Sequence, residues 1–249
     1  MINNKKIIAI IPARSGSVGC PGKNYKEIAG KPLVLWSVEA AMQSLYIDTV
    51  VVSSNCPNVF KAIDDYNWKA YENKTKGVHY LKRPDEISQP NSSTEETISH
   101  VLQCFDLHDI IVLLQPTSPA RRNNLVDKCI TKLVSNDCDS VFTAEQKTPF
   151  LYRIVDGKIN FLYMYENSKL VISPDIRPMR QDLKDSHHYY SDCGNVYCFY
   201  ENTFARFNRR IGNNPLFEKT DFFESLQIDS VEDFDVMSAL VDRVYGRFL

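Results

Sequence analysis

The stretch IPARSGSVGCPGKN, Ile11 to Asn24, gathers three glycines, two serines, Arg14 and Lys23 within fourteen residues. Glycines permit φ > 0 and let backbone N–H groups approach an anion closely. A guanidinium and an ammonium flanking them suit a polyphosphate. Two familiar phosphate loops are excluded. The spacing G-x-x-x-x-G-K-[ST] fails because five residues separate Gly16 from Gly22, and Asn24 offers no hydroxyl for magnesium. The dinucleotide pattern G-x-G-x-x-G fails because Gly16, Gly19 and Gly22 are spaced G-x-x-G-x-x-G. A solvated turn with two surface cations has the same composition.

Two further stretches carry chemical groups. LLQPTSP places Gln115, Thr117 and Ser118 at the end of an apolar run. A strand closed by a proline-bounded turn explains the prolines, but not an amide and two hydroxyls aimed into one cleft. IDSVED places Asp229 at an expected strand-to-helix junction, where an aspartate is commonly a helix cap. Ser230 with Asp233 already supplies that cap, which frees Asp229, a hard oxygen donor. The five histidines show no metal-ligand spacing, and extended backbone sends His187 and His188 to opposite sides. The seven cysteines are odd in number and contain no C-x-x-C pair, so reduced thiols in a cytoplasmic protein are expected.

The elements that must position these groups follow a βα rhythm. KIIAIIPA (6–13) and DIIVLLQ (109–115) are near-continuous apolar runs, as expected of strands buried on both faces. DTVVVSS (48–54), GVHYLKR (77–83) and DSVFTAE (139–145) read as further strands. Helical stretches lie at 32–45, with Pro32 at the first helical position, and near 57–70, 92–105 and 122–135. Ser93 and Glu96 form a capping box for the third of these. This alternation predicts an α/β fold with a mostly parallel sheet flanked by helices. The Arg14–Lys23 loop then leaves the carboxyl end of the first strand, where open α/β sheets bind ligands.

The pattern breaks over 146–190, which is rich in Tyr, Arg and Pro and carries short β-like pieces. The chain thus divides into an α/β core over 1–145, a small β-rich excursion over 146–190, and a return to the core over 191–249. GNVYCFY (194–200) and ESLQID (224–229) read as its last strands, and a helix follows from about 231.

With 249 residues and 43% hydrophobic content, the chain can bury a sizeable core. A net charge of −2 argues against a nucleic-acid partner. The apolar run Ile7–Ile11 is too short for a signal peptide or membrane span, so neither is expected.

IPARSGSVGCPGKN, GKPLV, VVVSS, KRPDE, LLQPTSPARR and IDSVEDF occur in this order. Together they resemble the cytidylyltransferases that activate nine- and eight-carbon keto-sugar acids: the CMP-sialic, CMP-pseudaminic, CMP-legionaminic and CMP-Kdo synthetases. LLQPTSP favours the sialic-acid-like branch over the Kdo branch. The resemblance implies a Rossmann-like sheet of the nucleotide-diphospho-sugar transferase type, with the 146–190 excursion serving dimerisation and sugar binding. It also implies a homodimer whose substrates are CTP and a small sugar acid.

In such enzymes the anomeric hydroxyl attacks the α-phosphorus of CTP, magnesium assists and pyrophosphate leaves. The resemblance makes Arg14, Lys23 and Gln115 the catalytic residues. It sets the phosphates against Arg14 and Lys23, with the backbone of Ala13, Ser15, Gly16 and Ser17 beside them. Asn24, Arg83 and Ser93 fall at positions that meet ribose and base. Gln115, Thr117 and Ser118 fall at sugar-binding positions. RPMRQDL (177–183) matches a segment that meets the sugar carboxylate across the dimer, which implicates Arg180, with Gln181 in support. Asp229 matches the Mg2+ ligand.

Three features depart from the pattern. Val18 stands where sialic-acid-type members usually carry lysine, and Gln227 where they often carry the first aspartate of a D-x-D pair. SDCGNVY (191–197) looks more like the pseudaminic branch. These departures leave open a catalytically weak CTP-binding homologue with an assembly or regulatory role. A CMP-Kdo synthetase and a transferase acting on a sugar 1-phosphate are the remaining alternatives.

Overall fold

The computed structural model describes residues 2–73, 77–105, 107–147, 151–164, 170–173 and 189–244. The chain separates into two compact units, one of 1–144 with 193–249 and one of 145–192.

The larger unit is built on β1 (Ile7–Pro12), β4 (Thr49–Ser54), β5 (His79–Lys82), β6 (Ile110–Leu114), β7 (Ser140–Lys147), β11 (Tyr189–Tyr200) and β12 (Pro215–Thr220). They form one seven-stranded sheet in the order β12-β7-β11-β6-β1-β4-β5. β1 runs parallel to both β4 and β6, and β4 parallel to β5, whereas β11 lies antiparallel to β6. The first strand is apolar throughout because both its faces are covered. Ile7, Ala9 and Ile11 pack into one cluster with Val34 and Val59, while Ile8 and Ile10 face Ile98, Val101 and Phe199 on the other side. Burial of each of these isoleucine, valine and phenylalanine side chains contributes about 1.5–3 kcal/mol.

The helices are α1 (Leu33–Met42), α2 (Pro57–Glu72), α3 (Thr94–Cys104), α4 (Leu125–Ser135), α5 (Glu201–Phe207) and α6 (Val231–Val244). The Ser93–Glu96 capping box of α3 is present, with both reciprocal bonds made. Pro32 is the cap of α1 rather than its first residue. Between the opening loop and α1, β2 (Glu27–Ile28) and β3 (Lys31–Pro32) form a two-residue ribbon. Its turn holds Ala29 and Gly30 at positive φ, which a two-residue hairpin of this hand requires.

Residues 224–229, expected as a strand, instead leave a turn and run irregularly into α6. Ile228 donates to the Thr117 carbonyl at 2.8 Å. The opposing segment is bounded by Pro116 and Pro119, which have no N–H to return, so a two-way ladder does not form. The smaller unit contains β8 (Leu151–Val155), β9 (Lys158–Met164) and β10 (Leu170–Ser173) in an antiparallel sheet of order β10-β9-β8. No described helix is long and apolar enough to cross a membrane.

Candidate functional site

Chain order reverses about β1, which has β4 and β5 on one side and β6 on the other. Beyond the carboxyl ends of these strands lies a cavity of about 410 Å³. That is the position at which open α/β sheets bind ligands.

The 11–24 loop forms one wall and is tied down by its own side chains. Asn24 is buried, and its Nδ2 donates to the Arg14 carbonyl at 2.9 Å. Arg14 reaches across to the Gln89 carbonyl. Lys23 Nζ donates to the Ile228 carbonyl at 2.5 Å and lies 3.5 Å from Asp229 Oδ1. Gly19 makes this closure sterically possible, since a Cβ there would fall 2.0 Å from the Asp229 carbonyl oxygen. Gly22 adopts φ +72° at the entry to the turn Lys23–Tyr25.

Several loop amides are already committed. Ala13 N–H donates to the Ser53 carbonyl, Ser15 N–H to Asn55 Oδ1 at 2.9 Å, and Ser17 N–H to the Ser15 carbonyl. Ala13, Ser15 and Gly16 do not line the cavity, whereas Arg14, Ser17 and Lys23 do. An anion held here would therefore rely on the two cations more than on a ring of amides.

The opposite wall contains Arg83, from the end of β5, and the first turn of α3. Arg83 is 4% exposed; its Nη1 donates to Thr97 Oγ1 at 2.9 Å and its Nη2 to the Ser53 carbonyl at 3.0 Å. Its Nε is buried and unpaired. Burial, reinforced by the nearby charge of Arg14, lowers its pKa to about 10. A buried guanidinium with an unused donor is a strong site for a polar or anionic ligand. Ser93 lines the same wall while its hydroxyl accepts from Glu96 N–H at 3.1 Å.

Gln115 and Thr117 line the cavity from the end of β6; Ser118 is fully buried and does not. The Thr117 and Ser118 hydroxyl oxygens are buried without partners. Arg180 and Gln181 lie outside the described residues. Asp229 lies on the cavity wall with a side chain 71% exposed. Ser230 and Asp233 cap α6 reciprocally: Ser230 Oγ accepts from Asp233 N–H at 3.1 Å, and Asp233 Oδ2 accepts from Asp229 N–H at 3.0 Å and Ser230 N–H at 2.8 Å. These bonds hold the Asp233 carboxyl below its usual pKa and leave the Asp229 carboxylate clear of capping.

Some participants were not visible in the sequence. Thr97, which orients Arg83, sits among apolar core positions of α3, and Asn55, which holds the loop, lies in an unremarkable strand-to-helix turn. Capping and turn chemistry account for residues of both types without a site.

An open, mostly parallel sheet with a cation-walled cleft at its switch point defines a nucleotide-binding α/β protein. The chain belongs to the cytidylyltransferase family, whose family model matches residues 8–169. An N-acylneuraminate cytidylyltransferase of Escherichia coli is 38% identical over 116 residues, 47% of this chain and 25% of that protein. A pseudaminic acid cytidylyltransferase of Campylobacter jejuni is 27% identical over 77% of each chain. A CMP-N,N'-diacetyllegionaminic acid synthase of Legionella pneumophila is 34% identical over 63% of this chain and 66% of its own. The chain spans between 25% and 41% of the length of the N-acylneuraminate relatives from Escherichia coli, Danio rerio and Streptococcus agalactiae. The fold is shared with a CMP:2-keto-3-deoxy-manno-octonic acid synthetase solved with CTP. That likeness has a TM-score of 0.66 at 17% identity, covering 96% of this chain and 99% of the other.

Proposed function

We propose that the protein transfers CMP from CTP to the anomeric hydroxyl of a sialic-acid-like 2-keto sugar acid. The hydroxyl oxygen forms a bond to the α-phosphorus, the bond to the bridging oxygen breaks, pyrophosphate departs and the hydroxyl proton passes to solvent. The observation that carries this reading is the convergence of Arg14, Lys23 and buried Arg83 on one cavity at the switch point. Arg14 and Lys23 neutralise charge that grows on the departing pyrophosphate. Asn24, Arg83 and Ser93 hold the nucleoside. Gln115 and Thr117 orient the acceptor, with Arg180 and Gln181 at its carboxylate, whereas Ser118 is buried beneath them, away from the cavity.

Asp229 fits a magnesium ion, because an exposed hard-oxygen carboxylate beside a triphosphate cleft is the donor this ion uses. Among the described residues no cluster of three or more acid, His or Cys side chains stands ready to hold a metal. Phosphate oxygens and water would therefore complete its coordination. When bound, the ion supplies charge neutralisation on the phosphates. A homodimer and a cytoplasmic location belong to the same reading.

A CTP-binding homologue with little turnover is the second reading. It is favoured by Val18, 75% exposed on the cavity wall, and by Gln227, whose amide is engaged by the Cys193 carbonyl. Incubation with CTP, magnesium and a panel of sialic, legionaminic, pseudaminic and Kdo acids decides between them. Pyrophosphate release with one acceptor supports transfer. CTP binding without release across the panel supports the second reading.

A further inference from the structure

Arg121, just beyond the Gln115–Ser118 turn, is buried to 4% exposure, and no carboxylate pairs with it among the described residues. Its guanidinium spends its donors on three separate elements. Nη1 donates to Ser37 Oγ of α1 at 2.8 Å, and Nη2 to the Gln115 carbonyl at 2.6 Å. Nη2 also donates to the Asn195 carbonyl of β11 at 2.9 Å, which Nε approaches at 3.3 Å. Burial lowers its pKa to about 9. A cation kept in the core without an acid is costly, and a well-packed apolar side chain would often serve stability as well. What an apolar side chain cannot do is hold two carbonyls at a fixed separation.

Both carbonyls bear on Gln115. Its own carbonyl also accepts from Ser118 N–H at 3.2 Å and Ser37 Oγ at 3.3 Å, which sets the turn direction of Gln115–Ser118. The Asn195 carbonyl fixes β11 one residue after Gly194, which sits at φ +63°. A Cβ on Gly194 would lie 2.9 Å from Gln115 Oε1 and 2.4 Å from Gln227 Nε2. The glycine notch therefore houses the Gln115 amide, and Arg121 grips both the residue and its notch.

We propose that Arg121 is the positioning residue of the acceptor subsite: it locks the Gln115 main chain and the Gly194–Asn195 strand in the register that aims the Gln115 amide into the cavity. The kinetic form of this proposal rests on the transfer reaction above; the structural form does not. Arg121→Lys keeps the charge but loses the fork, and Arg121→Met keeps the volume but loses every donor. Ser37→Ala removes one leg of the clamp in a milder background.

With the acceptor that gives turnover, acceptor kcat/KM should fall by about tenfold to a hundredfold in both Arg121 variants, through a raised acceptor KM. KM for CTP should stay within about twofold, and Ser37→Ala should fall between. A lower melting temperature with both KM values unchanged would show a merely structural role and overturn the proposal. Crystal structures of wild type and Arg121→Lys test it even if no acceptor is turned over. Displacement of the Gln115 amide from the Gly194 notch is expected, and an unmoved amide contradicts it.

Discussion

Lys23 Nζ lies 3.5 Å from Asp229 Oδ1 and donates to the neighbouring Ile228 carbonyl, so one ammonium joins the start of the chain to the entry of its last helix. The pair closes one side of the cleft while the Asp229 side chain stays 71% exposed. Lys23→Ala should lower kcat by about 10²- to 10³-fold, the cost of one donor aimed at developing charge. Asp229→Asn should leave stability within about 0.5 kcal/mol of wild type, because Ser230 and Asp233 rather than Asp229 cap α6. Calorimetry of CTP with and without magnesium checks the second variant. Magnesium should tighten CTP binding to wild type more than to Asp229→Asn.

Gly19 and Gly16 share a loop but differ in what surrounds them. A methyl at Gly19 meets the Asp229 carbonyl at 2.0 Å, whereas nothing lies within 4 Å of one at Gly16. Gly19→Ala should therefore cost about 1–3 kcal/mol and reduce turnover as the loop is pushed from Asp229. Gly16→Ala should change stability by less than about 0.5 kcal/mol. Thermal unfolding of the two variants side by side provides the comparison.

Arg83 separates binding from stability. Replacing this buried guanidinium, which pairs with no carboxylate among the described residues, with methionine should leave stability within about 1 kcal/mol, as relief of charge burial offsets the lost bonds to Thr97 and Ser53. CTP affinity should fall by about 1.5–3 kcal/mol, roughly tenfold to a hundredfold. Denaturant unfolding and CTP titration of Arg83→Met read the two effects separately.

Much of the β-α alternation and the Ser93–Glu96 cap was legible, because fully buried strands and capping boxes are local patterns. The irregular course of 224–229 was not. Its apolar and polar residues read as a strand, but the prolines that deny it a ladder belong to another segment. The same distance hides the site's closure. Nothing beside Gly19 in sequence shows that Asp229 will press against it, and nothing beside Arg121 shows that it will reach Ser37 and Asn195. Residues that act through long-range contact leave no periodicity to read.

Asp233 ties the helix cap to acid stability. Bonds from Ser230 and Asp229 N–H groups hold its folded pKa below the unfolded value of 3.8. Its stabilisation is thus fully present above that value and is lost as pH falls through the folded pKa. Wild type should lose stability below about pH 4 more steeply than Asp233→Asn, whose cap does not titrate. Melting temperatures of both proteins from pH 6 down to acid check the sign.

The transfer itself is tested most directly by phosphorus NMR of the product formed from CTP and the active sugar acid. Attack by an anomeric hydroxyl on the α-phosphorus predicts a nucleotide sugar with a single phosphodiester resonance, and free pyrophosphate beside it. A pair of coupled diphosphate resonances in the sugar product would mean that a sugar phosphate is the acceptor. That result would contradict the proposed reaction.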